Sequence, residues 1–452
     1  MPKKKTALTI EERLQQALVP AEEQPYEVPE NWVWVRLGEV NKYVSKSVNP
    51  ISEPDKIFEL YSVPSMADDY PEIIAGSDIG SSKQSVCKED VLLCKINPRI
   101  NRVWKVSQFT DNELIASSEW IIIRNNHINA NYLMYCFQSK YFREFMLSNV
   151  SGVGGSLMRA QPKYVQTYPI PLPPLSEQQR IVESIEELFA KLDEAKERLQ
   201  EVADSFAVRK AAILHNAFTG ELTKQWRREN GVSDESWEEK KLGEVGFWLG
   251  GGTPSTSREE YWENGNILWI TSKDMKSAVI EDTLMKVNEI GVKNSSANYI
   301  EKPALLVVMR SGILRRTFPV AMVKKPFTVN QDLKAIIPDK DDLEFLYWML
   351  LSNEQRILDT CMKNGTTVES INSNALKDLT FKCPTLPEQH EIVRLIDDLL
   401  ARERSAQQAA EQALASIDLM KKSILARAFR GELGTNKASE ASALELLRQV
   451  LS

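Results

Sequence analysis

Two stretches of this 452-residue chain concentrate cations where acids are missing. Lys95, Arg99, Arg102 and Lys105 stand in a window with no Asp or Glu between Asp90 and Asp111. Lys302, Arg310, Arg315, Arg316, Lys324 and Lys325 stand in a second window, free of acids from Lys302 to Asn330. Guanidinium and ammonium groups at this density neutralise phosphates, and a few side chains among them can reach base edges. Each window is therefore a candidate contact for a polyanion. Charges at hairpin tips also serve simple solvation, and the windows alone leave both readings open.

Residues for covalent chemistry are sparse. The three histidines, His127, His215 and His390, are far apart, and no metal-ligand spacing appears among Cys, His and carboxylates. Pro-Asp-Lys occurs at Pro54–Lys56 and Pro338–Lys340 without the Glu-x-Lys that a metal-dependent nuclease requires. Asn97-Pro98-Arg99 lacks the second proline and aromatic residue of an amino-methyltransferase motif. The glycines of SGVGGSLMRAQPKYV, Ser151 to Val165, are not followed by the Lys-Ser/Thr of a phosphate loop. The chain is expected to bind without transforming, with no metal and no cofactor of its own.

Net charge is −7, so binding must come from local patches and not from the total. Five cysteines (Cys87, Cys94, Cys136, Cys361, Cys383), with no Cys-x-x-Cys pair, suit a reducing cytoplasm. The start, MPKKKTALTIEERL, has no apolar segment of signal length, and no run of 18 apolar residues occurs, so neither export nor a membrane span is expected. Lys3 to Lys5 reads as a solvated terminus.

The elements that carry the basic windows are organised by a repeat. PLSEQQRIV (Pro174–Val182) returns as TLPEQHEIV (Thr385–Val393), and RKAAILHNAFTGEL, ending at Leu222, returns as MKKSILARAFRGEL, ending at Leu433. Glu177 and Glu388, Gln178 and Gln389, Ile181 and Ile392, and Gly220 and Gly431 all keep one offset of 211. A stretch free of insertions is what a rigid helix requires. Ile181, Ile185, Leu188, Leu192, Ala195, Leu199, Val202 and Phe206 alternate steps of four and three, the 3.5-residue period of a coiled coil. Ile392, Ile396, Leu399, Ala406, Ala410, Ala413 and Ile417 form the second seam, interrupted by Glu403. Ser176 with Gln179 and Thr385 with Glu388 predict capping boxes, and Gly220 and Gly431 predict helix stops. Two rods of roughly 40 residues, each about 60 Å long at 1.5 Å per residue, are expected to pack antiparallel.

A globule precedes each rod. In the first, strands are predicted at Ile57–Val63, Val91–Ile96, Arg102–Val106 and Trp120–Arg124, then a helix from about Asn131 to Leu147. In the second they fall at Ile267–Thr271, Ala304–Met309, Pro319–Val323 and Leu333–Ile337, then a helix from about Asp342 to Asp359. Trp32, Leu37, Gly38, Glu39 and Val40 return as Trp237, Leu242, Gly243, Glu244 and Val245. The fold class is α+β, with a pseudo-twofold internal repeat. Expected divisions are a tail and short helix at 1–26, globule 27–170, rod 171–231, globule 232–383, rod 384–434, and a tail with a short helix at 435–452. Thr9 and Glu12 predict a capping box, and the two short terminal helices are expected to lie together.

PLPPLSEQQRIV and its repeat, the helix ends AILHNAFTGEL and SILARAFRGEL, and GGTPST with YW and ILWITSKDM (Gly251 to Met275) resemble the specificity subunit of type I restriction-modification enzymes, from about Asn31 to Leu433. Pro387, where the first copy has Ser176, is a departure that a first helical turn accepts. The resemblance implies two target-recognition domains, each reading half of a bipartite DNA sequence, with the rods as a spacer. It implies a non-catalytic subunit that holds two adenine-N6 methyltransferase subunits and an ATP-driven restriction subunit, with S-adenosylmethionine and ATP bound by those partners. Motif matching does not pick out base-reading residues in such domains. The candidates are Lys95, Arg99, Arg102, Lys105, Arg159, Gln161 and Lys163 for one half-site. For the other they are Lys273, Arg310, Arg315, Arg316, Lys324, Lys325 and Gln331. The alternative is a coiled-coil protein-interaction scaffold with two ligand-binding heads.

Overall fold

The computed structural model describes residues 8–152, 158–363 and 368–452. The Lys3–Lys5 run and positions 153–157 of the glycine-containing loop lie outside the described residues. Two compact units emerge, Met1–Gln200 with Gln412–Ser452, and Glu201–Glu411. The division cuts both long helices, so each unit combines one globule with the first half of one rod and the second half of the other.

The second rod is a single helix, Leu386–Ala428, of 43 residues. The first is two, Leu175–Asp204 and Phe206–Phe218, where one was expected. The ladder bonds continue across Ser205, from its N–H to Glu201 and from Arg209 N–H to its carbonyl, both at 3.0 Å. Side chains disturb this turn: Ser205 Oγ donates to the Val202 carbonyl (2.9 Å), and Arg209 donates to both Ser205 Oγ and that same carbonyl. A polar side chain competing for a helix carbonyl bends the ladder. Gly220 (φ +84°) and Gly431 (φ +72°) end the two rods in the left-handed region.

Within each unit the rod segments run antiparallel. In the first unit Asp193 pairs with Lys421 at 2.6 Å and Arg180 donates to the Thr435 carbonyl at 3.0 Å, so partner numbers fall as residue numbers rise. In the second, Arg209 pairs with Glu403 at 2.5 Å and Arg227 with Glu388 at 2.7 Å. The charge that interrupts the apolar seam is thus answered.

Ile181, Ile185, Ile392, Ile396, Ala410 and Ile417 are buried, and Leu192, Leu199 and Phe206 half-buried. Both copies open with two steps of four, Ile181–Ile185–Phe189 and Ile392–Ile396–Leu400. Strict alternation therefore misplaces Leu188, which is 36% exposed, and Leu399, which is half-buried beside the buried Leu400. Ala406 is likewise exposed. A helix of 3.6 residues per turn drifts away from a 3.5-residue pattern.

The globules share the central strand arrangement of both their sheets, though the first globule's larger sheet has five strands and the second's four. In the first, Val91–Cys94 lies between Val103–Lys105 and Trp120–Ile123, all antiparallel, while Ile57–Tyr61 runs parallel to Glu113–Ala116 and antiparallel to Glu72–Ala75. In the second, Ala304–Val308 lies between Val320–Val323 and Leu333–Pro338, while Ile267–Ile270 runs parallel to Phe327–Val329 and antiparallel to Met285–Val287. Each predicted helix is divided. Ser139 caps Lys140–Ser148 after Ala130–Gln138, and Asn353 separates Leu343–Ser352 from Glu354–Cys361, its amide donating back to the Met349 carbonyl. The start and end of each globule close as a two-stranded pair, Val33–Arg36 on Pro169–Leu172 and Glu238–Lys241 on Thr380–Cys383.

The repeated Glu-Gln dipeptide fastens these parts. Glu177, fully buried, accepts from Trp32 Nε1 (2.7 Å) and Asn436 Nδ2 (2.8 Å). Glu388, also fully buried, accepts from Thr223 Oγ1 and Arg227 Nη1, each at 2.7 Å. Gln178 accepts from Asn129 N–H and donates to the Pro173 carbonyl, and Gln389 accepts from Asp342 N–H and donates to the Pro384 carbonyl. The predicted capping box at Thr385 is not formed, because Glu388 is drawn inward by a guanidinium; Gln179 bonds Asn129 and Glu183 instead of closing the other. Thr9 and Glu12 do form theirs. At the termini Ala443–Leu451 packs on Ile10–Ala17, with Leu14, Ala17, Leu446, Leu447, Val450 and Leu451 in one core.

Burial alone would lower the Arg227 pKa, but its bonds to Glu388 and Asp234 hold it above the ordinary value, so the guanidinium stays charged. Glu388→Ala leaves that buried charge with only the exposed Asp234 carboxylate and is expected to lower stability by roughly 3 kcal/mol. Glu177→Ala leaves only neutral donors unpaired and is expected to cost about half as much. Urea denaturation of the two variants measures both; equal losses would show that the ion pair adds nothing beyond hydrogen bonding.

Candidate nucleic-acid interface

The same local construction presents the basic window in each unit. In the first, the chain leaves Val91–Cys94, makes a 3₁₀ turn at Pro98–Ile100 and returns as Val103–Lys105. Asn97 (φ 45°) and Asn101 (φ 53°) bracket that turn in the left-handed region, which Asn tolerates better than most residues. The loop is pinned from one side by an antiparallel bridge between Ile96 and Arg159, with Asn97 N–H on the Met158 carbonyl and Ala160 N–H on the Lys95 carbonyl, both at 2.8 Å. Lys95, Arg99, Arg102 and Arg159 are thereby brought to one end of the sheet.

Lys105 is not part of that group. It ends the returning strand, roughly 10 Å from Arg102 at 3.3 Å per residue, and pairs with Glu89 at 3.6 Å. Arg159 meets Glu119 through Nε and Nη2 at 3.3 and 3.4 Å. Lys95 donates to the Ser118 carbonyl at 2.6 Å, Arg99 is exposed, and the Lys163 ammonium lies 4.7 Å from the Tyr164 ring centre. Gln161 is half-buried ahead of the short helix Pro162–Val165. Beside Arg102, burial pushes the Cys94 thiol pKa up, so that thiol stays protonated.

In the second unit the chain leaves Ala304–Val308, turns at Gly312–Arg315 and returns as Val320–Val323. A bridge between Arg310 and Ser370 pins it, with Ser311 N–H on the Glu369 carbonyl (3.0 Å) and Ile371 N–H on the Met309 carbonyl (2.8 Å). Arg310 Nε meets Asp332 at 2.8 Å, and Arg315 Nε meets Glu369. Lys324 and Lys325, at the opposite end of the returning strand, pair with Glu344 and Glu281, both at 2.6 Å. Arg315 holds the Glu369 carboxyl below the usual range, and Glu344 raises the Lys324 pKa, so these pairs remain ionised and mutually neutralised. The acid-free window of the sequence is therefore filled in three dimensions from residues 281, 332, 344 and 369. Arg316 and Lys273 are exposed and carry no ion pair among the described residues.

Gln331 accepts from Thr253 Oγ1 at 2.6 Å, which places the GGT segment at the site. Its glycines are required by close approach: a Cβ on Gly251 would lie 1.7 Å from the Val329 carbonyl oxygen, and one on Gly252 would lie 2.0 Å from Ser296 Oγ. A cleft of about 710 Å³ opens here, lined by Arg310, Gln331, Asp332, Lys334, Lys363 and Ser370 among others. Lys334 and Lys363 were not singled out from the sequence. The one legible signal was Lys334, a charge inside the otherwise apolar strand Leu333–Pro338. Among the described residues no cluster of three or more His, Cys, Asp or Glu could hold a metal ion, and no helix is long and apolar enough to cross a membrane.

A family model described as the type I restriction modification DNA specificity domain matches residues 29–204 and 234–413. Over 196 residues the chain is 37% identical to the type I restriction enzyme EcoR124I/EcoR124II specificity subunit of Escherichia coli, covering 42% of this chain and 48% of that relative. It is 30% identical over 190 residues to the MjaIX specificity subunit of Methanocaldococcus jannaschii, 40% of this chain and 43% of the relative. The chain thus spans about half the length of these two curated relatives. A longer match, 25% identical over 415 residues, is to the MjaVIII specificity subunit of the same archaeon, covering 85% of this chain and 91% of the relative. The fold is similar to the crystal structure of the HsdS subunit from Thermoanaerobacter tengcongensis, with TM-score 0.68, 22% identity, and 91% of this chain and 100% of that one covered.

If the open cations contact phosphate, removing them has a defined signature. Arg316→Ala and Lys273→Ala are each expected to lower the salt dependence of duplex binding by about one in log–log slope. Lys324→Ala and Lys325→Ala, which remove charges already answered by Glu344 and Glu281, are expected to change it by less than half as much. Titrations of labelled duplex across a series of salt concentrations make the comparison; equal effects from all four would contradict the assignment.

Proposed function

We propose, from the premise that this chain belongs to the type I restriction modification DNA specificity domain family, that it is the DNA-specificity subunit of a type I restriction-modification system and recognises a bipartite target, one half per globule. The observation that carries this reading is the duplicated construction of the interface: in both units a basic loop leaving the central strand is pinned by a single bridge to the segment before the last short helix. Half-site spacing is a geometric consequence of how a protein separates its readers, and the insertion-free offset of 211 between the helical copies supports the rods as the element that sets it.

On this reading the chain carries out no chemical step itself. Its partners are double-stranded DNA, two adenine-N6 methyltransferase subunits docked on the rods, and an ATP-driven restriction subunit. S-adenosylmethionine and ATP belong to those partners. The scaffold alternative is not favoured by the family match.

Sequencing-based mapping of adenine methylation, in cells carrying the chain with its methyltransferase partner, tests the reading. The expected result is one split motif with specified bases on both sides of a fixed unspecified spacer; an unsplit motif, or none, would contradict it. Inserting one heptad after Leu199, with a matching heptad in the second rod, is expected to lengthen the spacer while leaving both half-sites as they were. An unchanged spacer would remove the rods from that role.

A further inference from the structure

Arg310 and Arg315 of the second unit's basic loop are each engaged by a carboxylate through Nε alone, unlike two arginines of the first unit. Arg159 in the first unit offers Nε and Nη2 to Glu119, and Arg124 offers the same two nitrogens to Asp90, so in both the edge that could grip a ligand is occupied. Arg310 engages Asp332 through Nε alone, at 2.8 Å, and neither terminal nitrogen has a hydrogen-bond partner among the described residues. The side chain of Arg310 is 57% exposed and that of Asp332 is 23% exposed. Asp332 is itself braced: its N–H donates to Asn330 Oδ1 (3.1 Å), Asn330 Nδ2 reaches its other carboxylate oxygen (3.4 Å), and its carbonyl accepts from Met309 N–H (2.7 Å).

A carboxylate this close cancels much of the charge that a phosphate contact uses, and it would repel the phosphate. What it leaves is direction: a planar fork of donors aimed from a fixed Nε. That combination suits a neutral acceptor pair, and the O6 and N7 atoms of guanine in the major groove are such a pair. The surrounding cleft supplies the complementary parts. Lys334 and Lys363 line it as cations without ion pairs among the described residues, and Gln331, with its oxygen taken by Thr253, keeps its amide N–H groups.

We propose that Arg310 reads a guanine in the half-site contacted by the second unit and that Asp332 is its positioning residue; this rests on the DNA-specificity reading above. The test selects duplexes from a library randomised across both halves, using the full chain assembled with its methyltransferase subunit. Arg310→Lys keeps the charge and removes the fork. It is expected to lower discrimination at one guanine, in one half only, by roughly five- to a hundredfold, with every other position as selective as before. Asp332→Asn is expected to relax the same guanine and carries the test if Arg310→Lys does not assemble. Loss of binding spread evenly over all positions, unchanged selectivity in either variant, or a wild-type target with no required guanine overturns the proposal while leaving a bipartite reader in place. A wild-type complex indifferent to sequence in both halves overturns the underlying reading as well.

Discussion

A carboxylate in the first turn of a helix is favourably placed against the helix dipole, but a fully buried one must also be given donors, or it costs several kcal/mol. Glu177 and Glu388 occupy this position at the start of the two rods. In each unit two donors come from the segment that follows the Gly-Glu-Leu end of the other helical copy, Thr435 and Asn436 for Glu177, Thr223 and Arg227 for Glu388, and Trp32 adds a third to Glu177. The adjoining glutamine reaches the other way and holds the start of the globule's last pair of helices. One dipeptide therefore joins three parts of each unit, and each unit accordingly holds pieces of both rods.

The two anchors are related but unequal. Trp32 donates to Glu177, whereas among the described residues its counterpart Trp237 has no partner for its indole nitrogen, and one oxygen of Glu388 is likewise unsatisfied. The guanidinium of Arg227 stands in that role in the second unit. In the coil, too, ionic groups stand where the other copy has apolar residues. Arg209 and Glu403 form an ion pair, and the offset of 211 places Met420 and Leu192 at the matching positions of the other copies. Duplication has preserved the architecture while the chemistry of individual contacts has diverged.

Much of this is legible in the sequence. The repeated motifs, the apolar strands and the glycine stops all rest on local periodicity or on a backbone requirement that one residue meets alone. What failed was of two kinds. Ser139, Ser205 and Asn353 interrupt runs that are otherwise helical by pattern, because a short polar side chain captures a neighbouring backbone group or caps the next turn. Charge was the other. Acid-free windows make their cations candidates for a polyanion, yet Glu281, Asp332, Glu344 and Glu369 arrive from elsewhere in the fold to pair with four of them. Lys324 and Lys325 also prove to lie at the far end of a strand from Arg315, a separation that linear order conceals. Sequence distance along a hairpin does not report which tip a residue occupies.

In each unit the basic residues sort by how they are held. Exposed cations without acids, such as Arg99, Arg316 and Lys273, suit phosphates, whereas an arginine tethered through one nitrogen suits directional readout. The most direct test of two readers on one chain is a hydroxyl-radical footprint of the assembled complex on its cognate duplex. Two protected tracts flanking an accessible interval, with Arg316→Ala and Lys273→Ala weakening only one of them, are predicted. A single unbroken tract, or one that these substitutions weaken throughout, would contradict the account.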